Sequence, residues 1–327
     1  LLLETPLLSG AAFFRWRVAA LDHPAQRAYM PVMDHKAFIS RLPPDTLAAL
    51  NALENAAGLR HLAGHTALIG ALALWIALGW PLWQVAVLLQ GIAICFLFTL
   101  EHEATHKTPF RTVALNEWVG HICGVLLLLP FEWFRYFHLA HHRHTNDPNK
   151  DPELLSGMKP ETWGAYIRHV SGLPYWIGMA QLTWDNARGQ MDAAYIPKRA
   201  RPRIIREARV MLAIYAAVLI SLFFTPLLLW IWLLPVLVGQ PFLRLYLLAE
   251  HGRCALVSNM LENTRTTYTN RIVRFLAWNM PYHIEHHTLP NVPFHKLPAL
   301  HARMQGHHAV TQAGYAAFTA DYARDLR

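Results

Sequence analysis

HLAGHTALIGALALWIALGWPLWQVAVLLQGIAICFLFTLEHEATH, residues 61–106, decides the architecture. Its first forty residues, His61 to Leu100, contain no Asp, Glu, Lys or Arg, and it closes on His102 and His106. A helix crosses the hydrocarbon core with roughly 20 apolar residues, so this run is long enough for two crossings, divided at Gly79-Trp80-Pro81. A second charge-free run of thirty-four residues, Val210 to Leu243, divides at Phe224-Thr225-Pro226. Of the 327 residues 15% are charged and 54% hydrophobic, too apolar for a soluble protein of this size. The expected fold is all-α and integral to the membrane. Four transmembrane helices at 62–79, 82–100, 210–225 and 228–248 form two hairpins, with interfacial helices and a cytoplasmic histidine-rich cap.

Neither hairpin turn carries a Lys or Arg, and all 29 cationic residues fall outside the two apolar runs. The positive-inside rule assigns that side to the cytoplasm, with the termini and the middle loop. The expected location is a multi-pass membrane protein of a bacterial inner membrane. Residues 1–60 read as a cytoplasmic lead-in, 61–305 as the membrane domain and 306–327 as a C-terminal tail. In the lead-in, Asp45 is expected to cap a helix from Thr46 to Ala57 that Gly58 ends. Trp118 to Phe131 is uncharged but too short to span easily, so it is read as interfacial or dipping in and returning. The cationic run Lys198, Arg199, Arg201, Arg203, Arg206 and Arg209 precedes the third span. It suits anionic headgroups better than nucleic acid.

Three histidine clusters adjoin these runs: His102/His106, His138/His141/His142 and His283/His286/His287. Residues three or four apart on a helix share a face, and imidazole is the commonest protein metal ligand. Eight imidazoles exceed the needs of one tetrahedral zinc, so two metal ions sharing the set is the simpler reading. His251, at the end of the fourth span, is a ninth candidate at the same membrane level. Glu101, Glu103, Glu250, Glu285 and Asp147 are candidates to accept the far N–H of ligand rings and so fix their tautomers. His23, His35, His61, His169, His295, His301, His307 and His308 are read as structural. His65 is expected at the membrane interface, and His121 and His144 are weaker ligand candidates. Cys95, Cys123 and Cys254 form no disulfide framework and no Cys-x-x-Cys pair, so electrons must come from another protein. The chain opens Leu1-Leu2-Leu3-Glu4 without a leader pattern and without an initiator Met, and is read as lacking its natural start.

At these histidines the chain resembles the membrane fatty acid desaturase superfamily, whose boxes read H-x3/4-H, H-x2/3-HH and H-x2/3-HH. The flanking stretches HHRHTNDPNKDPEL (His141 to Leu154) and WNMPYHIEHHTLPNVPFHKLP (Trp278 to Pro298) extend the likeness over about residues 60–305. The resemblance implies a mushroom-like helical fold, a cytoplasmic diiron centre, and O2-dependent oxidation of a lipid or fatty acyl chain. It also implies His251 as an additional ligand, with no catalytic residue beyond the metal ligands. One departure is Leu247, where acyl-CoA desaturases hold an Asn. His23-Pro24 lacks the glycines of a fused cytochrome b5 motif.

The resemblance favours desaturation, with two irons as cofactor, O2 as co-substrate, and a ferredoxin, rubredoxin or cytochrome b5 type protein as external electron donor. Within the superfamily, hydroxylation, ketolation of a carotenoid ring and oxidative decarboxylation of a fatty acid are alternatives. A membrane zinc hydrolase or a non-catalytic metal-binding protein is the alternative from another class. It fits poorly because hydrolytic zinc needs only about three protein ligands and a water.

Overall fold

The first charge-free run folds as two helices around a tight turn. In the computed structural model, which describes residues 33–327, α1 spans Asn55–Ala77 and α2 spans Trp83–Cys95. Gly79 turns the chain between them with φ +62°, a conformation that glycine adopts without strain. After a break at Phe96, α3 (Leu97–His106) continues α2, and together they form an apolar stretch long enough to cross a membrane. His23 and most of the expected lead-in lie outside the described residues.

Next come α4 (Val113–Leu127) and α5 (Phe131–His144), which meet at a 99° bend. The bend sits in the Trp118–Phe131 segment, and its angle fits a broken span as well as a segment that dips in and returns. α6 (Leu173–Ala187) and α7 (Arg201–Ser221) follow. A π-helical turn, Leu229–Leu233, leads into α8 (Leu234–His251), and α9 (His283–Thr288) carries the third cluster. The strands described are two two-residue segments, Thr266–Thr267 and Thr311–Gln312, paired in parallel.

The protein is a mostly helical membrane protein. By length and composition three described stretches can cross: Pro44–Ala77, Trp83–His106 and Leu229–His251, or four if the bent α4–α5 pair counts as one. The expected third span, 210–225, coincides with the second half of α7. The first half of that helix is basic, which keeps it out of the apolar set. Arg203 and Arg209 of the cationic run also have inward partners: Arg203 reaches the Tyr136 hydroxyl at 3.2 Å, and Arg209 Nε donates to Ala187 O at 2.9 Å.

α2 and α8 touch backbone to backbone. A Cβ on Gly91 would lie 2.0 Å from Pro235 O, and one on Gly239 would lie 2.2 Å from the Gly91 carbonyl carbon. Pro235 has no N–H to offer the Ile231 carbonyl four residues back, and Gln90 Nε2 of α2 donates to it instead at 3.0 Å. This contact carries the end of α8, and hence His251, to the end of α3.

Two expectations in the N-terminal part need correction. Asp45 does not cap a helix starting at Thr46: the helix there begins at Pro44 with Pro43 as its cap and stops at Asn51. Gly58 does not end a helix; it lies within α1, where a Cβ would stand 2.2 Å from Pro109 O. The residue is small because another segment passes over it. The C-terminal tail is packed: Phe318 and Tyr322 of the helix Tyr315–Arg324 are buried against Tyr166 and Ala249.

Candidate metal centre

Four elements bring the nine histidines of the sequence reading to one place. α3 contributes His102 and His106, α5 His138, His141 and His142, the last turn of α8 His251, and α9 His283, His286 and His287. Seven of the nine are below a tenth exposed, with His106 and His142 partly buried. They divide into two sets. The ligand atoms of His102, His106, His138, His142 and His286 all lie within 4.8 Å of one another, as do those of His141, His251 and His287. His283 joins the second set, with its Nε2 at 3.1 Å from His251 Nε2.

Hydrogen bonds on the outer nitrogens set the tautomers of His141, His251 and His287 in the second set. His141 Nδ1 lies 2.9 Å from Asp151 Oδ1, and His251 Nδ1 lies 3.2 Å from the Asn263 carbonyl. His287 Nδ1 lies 3.2 Å from Thr145 Oγ1, whose own proton goes to His141 O at 2.8 Å. Carboxylates and carbonyls only accept, and the spent hydroxyl must accept here too. Each neutral ring therefore carries its proton on Nδ1 and turns a bare Nε2 inward. His141 and His251 then face lone pair to lone pair at 3.2 Å, and His287 Nε2 is buried without a hydrogen-bond partner. With the rings neutral such an arrangement is repulsive, and a cation among the nitrogens relieves it. The first set repeats the close approach, with Nε2 pairs at 2.8 Å (His106, His138) and 3.2 Å (His142, His286).

Charge supports the same conclusion. Burial first, then the neighbouring imidazoles, hold His283, His286 and His287 well below the ordinary imidazole range. They are neutral near pH 7, the state that binds metal. Nine imidazoles in groups of five and four fit two six-coordinate ions with exchangeable positions better than tetrahedral zinc.

A cavity of about 250 Å³ opens beside the centre. His102, His138, His141, His251 and His283 form its polar wall, and Phe98, Trp133, Phe134, Phe137, Met179 and Leu247 supply apolar surface.

The chain matches the family described as "Fatty acid desaturase" over residues 78–318, a range that holds all nine histidines. The protein belongs to that family. As a member it is an oxidoreductase of lipid metabolism. It is similar to the sn-1 oleoyl-lipid 12-desaturase of Arthrospira platensis, 24% identical over 238 residues that cover 67% of each chain. It is also similar to the dihydrorhizobitoxine desaturase of Bradyrhizobium elkanii, 27% identical over 260 residues, 74% of this chain and 73% of the relative. A shorter likeness, 29% over 72 residues, links it to the sn-1 acyl-lipid omega-3 desaturase (ferredoxin) of a Synechocystis strain, covering 22% of this chain and 20% of the relative.

Around this histidine centre some supporting residues differ from the sequence reading. Glu250 and Glu103 do stand near His283 and His286, 3.5 and 3.6 Å from their Nδ1 atoms. Asp147 does not support a ring; it closes a turn with Asn149 and Lys150, and Asp151 takes the role expected of it. Glu285 instead binds His301, His308 and Thr266. Burial alone would raise its carboxyl, but the bonds from His301, His308 and Thr266 hold it at about 2. Glu101 is buried with neither oxygen hydrogen-bonded. His65 is not interfacial: it is fully buried, bonded to Ala93 O at 2.9 Å and receiving Trp278 Nε1 at 3.2 Å. It fills the seam between α1, α2 and the segment before α9. His121 pairs with Glu207 at 2.7 Å, and His144 stays outside both sets. His35 and His61 bond Asn259 and Phe275 O. The three cysteines are free and buried. Asp151, Asn263 and Thr145 were missed as supports because a distal acceptor need only arrive in space. For Asp151 a sequence signal existed, its place in the HHRHTNDPNKDPEL stretch.

Proposed function

We propose that this protein is an O2-dependent diiron desaturase of a lipid or fatty acyl chain, converting C–C to C=C. The observation that carries the reading is the convergence of nine inward-facing imidazoles, five and four, beside an aromatic cavity in a chain of the desaturase family. His102, His106, His138, His142 and His286 would hold one iron, and His141, His251, His283 and His287 the other. Such a pair, when bound and reduced, supplies the activation of O2 that removes two hydrogens from adjacent carbons. The chain's own residues position and protect. Phe98, Phe134, Phe137 and Leu247 seat the apolar substrate and exclude water. Asp151, Asn263 and Thr145 hold the rings of the second set in register.

We assign residues 61–305 to the catalytic membrane domain. Its membrane stretches are arranged as two hairpins, and the termini and histidine centre lie on the cytoplasmic side. The charge distribution supports that orientation. Two electrons per turnover come from a small external carrier. The Synechocystis relative whose name carries ferredoxin makes a ferredoxin the first to try.

The test is mass spectrometry of lipids and free acids from cells with and without the gene, paired with metal analysis of protein purified without added metal. Loss of two hydrogens from a product, with about two irons per chain, is expected. Gain of one oxygen would replace desaturation by hydroxylation, and loss of carbon by decarboxylation. A centre that holds zinc and supports hydrolysis would end the oxidase reading.

A further inference from the structure

The cavity beside the histidines contains a cation that oxidation of an apolar chain does not require. Of its charged lining residues, Glu153 is paired with Lys159 at 2.7 Å, and Glu250 lies against His283. Arg244 forms no ion pair with a carboxylate of the described residues. It is held from its flanks instead. With the Gln240 amide oxygen turned toward it, its Nε and Nη2 donate at 3.1 and 3.2 Å. The ring of Tyr175 stacks 4.6 Å from the guanidinium carbon, and its hydroxyl is fixed on Leu127 O at 2.8 Å. A guanidinium has five N–H donors in a planar fork. Two are used by Gln240, so three remain for a ligand.

An unpaired charge within a membrane stretch is costly and marks a function. Arg244, Leu247 and His251 fall at i, i+3 and i+7 of α8, share a face, and all line the cavity. Seven residues correspond to roughly 10 Å along the helix axis. An extended chain advances roughly 1.2 Å per bonded atom, so an anionic group at Arg244 places an atom about eight bonds away level with His251. The volume of about 250 Å³ is below the roughly 300–1,000 Å³ usual for drug-sized ligands. A planar carboxylate matches the fork in two parallel bonds, whereas an ester offers no charge to it.

We propose that Arg244 clamps the free carboxylate of the substrate, and that the substrate class is a medium-chain carboxylic acid rather than a long acyl chain esterified to a lipid. This rests on the desaturase reading of the same site. Arg244 is then a specificity-determining residue, and Leu247 is the apolar surface under which the chain runs from the clamp to the histidines.

The test uses the full chain, loaded with iron in detergent, with decanoate and methyl decanoate as probes and titration calorimetry as the readout. Wild type is expected to bind decanoate about tenfold or more tighter than the ester, as for a charged hydrogen bond. Arg244→Gln should weaken decanoate by a similar factor and erase the preference while iron content stays unchanged. Arg244→Lys, which keeps the charge but not the fork, should retain part of it. The wild-type comparison needs no variant to fold. Equal affinity for acid and ester, no binding of decanoate, or a preference retained in iron-loaded Arg244→Gln overturns the clamp. Product analysis separates this from the reaction: acid held through Arg244 but hydroxylated leaves the clamp and removes desaturation. Desaturation of the ester with the acid ignored does the reverse.

Discussion

Asp151 controls one imidazole, and through it one face of the centre. Its Oδ1 receives His141 Nδ1–H while its Oδ2 accepts the Asn146 amide at 2.8 Å, so the carboxylate is fixed before it fixes the ring. Losing such a support lowers metal affinity by about 10- to 100-fold. Asp151→Asn is therefore expected to lose iron to a competing chelator at a correspondingly lower concentration than wild type, and equal retention would show that the ring is held elsewhere. The five-and-four division gives a second expectation. Replacing His251 with Ala should lower iron from about two per chain toward one, because only one set includes it, while membrane insertion is unaffected. Loss of both irons together would point to a single coupled site. The histidine pairs themselves are legible in sequence, because three- and four-residue spacing is a property of one helix. Asp151, Asn263 and Thr145 are not, because each acts across a turn or a fold contact.

At the scale of elements, the α2–α8 seam decides whether His251 arrives at the centre. Gly91 and Gly239 allow the two backbones to meet. Gly91→Leu is expected to cost at least the roughly 1–3 kcal/mol of an overpacked core, lowering the thermal midpoint in detergent and releasing the second iron. Gly70 of α1 is the control. Nothing lies within 4 Å of a Cβ placed there, so Gly70→Ala should be neutral or stabilise by up to about 1 kcal/mol through helix propensity. Equal melting of the two variants would mean that the seam is looser than it looks. The apolar runs and their turns at Gly79 and Pro226 were readable from composition. The basic first half of α7 and the sharp α4–α5 bend changed which stretches resemble spans, because a run of apolar residues does not reveal where its helix begins.

For the whole molecule, the histidines draw together segments separated by up to 185 residues, from His102 to His287. A ligand that binds only the folded state stabilises it by mass action. Iron removal by a chelator is therefore expected to abolish turnover and to lower the thermal midpoint, with both restored by ferrous iron under reducing conditions. An unchanged midpoint would mean that the four elements hold together by packing alone.

The sequence by itself determined that this is a helical membrane protein with clustered histidines, and it singled out His251 because a long apolar run ends on it. Periodicity and hydropathy are local, so one chain displays them. Only the tertiary structure decided which imidazole meets which, that His65 packs in the core against Trp278, and that Arg244 faces a cavity with no ion-pair partner among the described residues. Those facts depend on distances between segments far apart in the chain, and hydrogen-bond partners and unpaired charges are defined only by such distances.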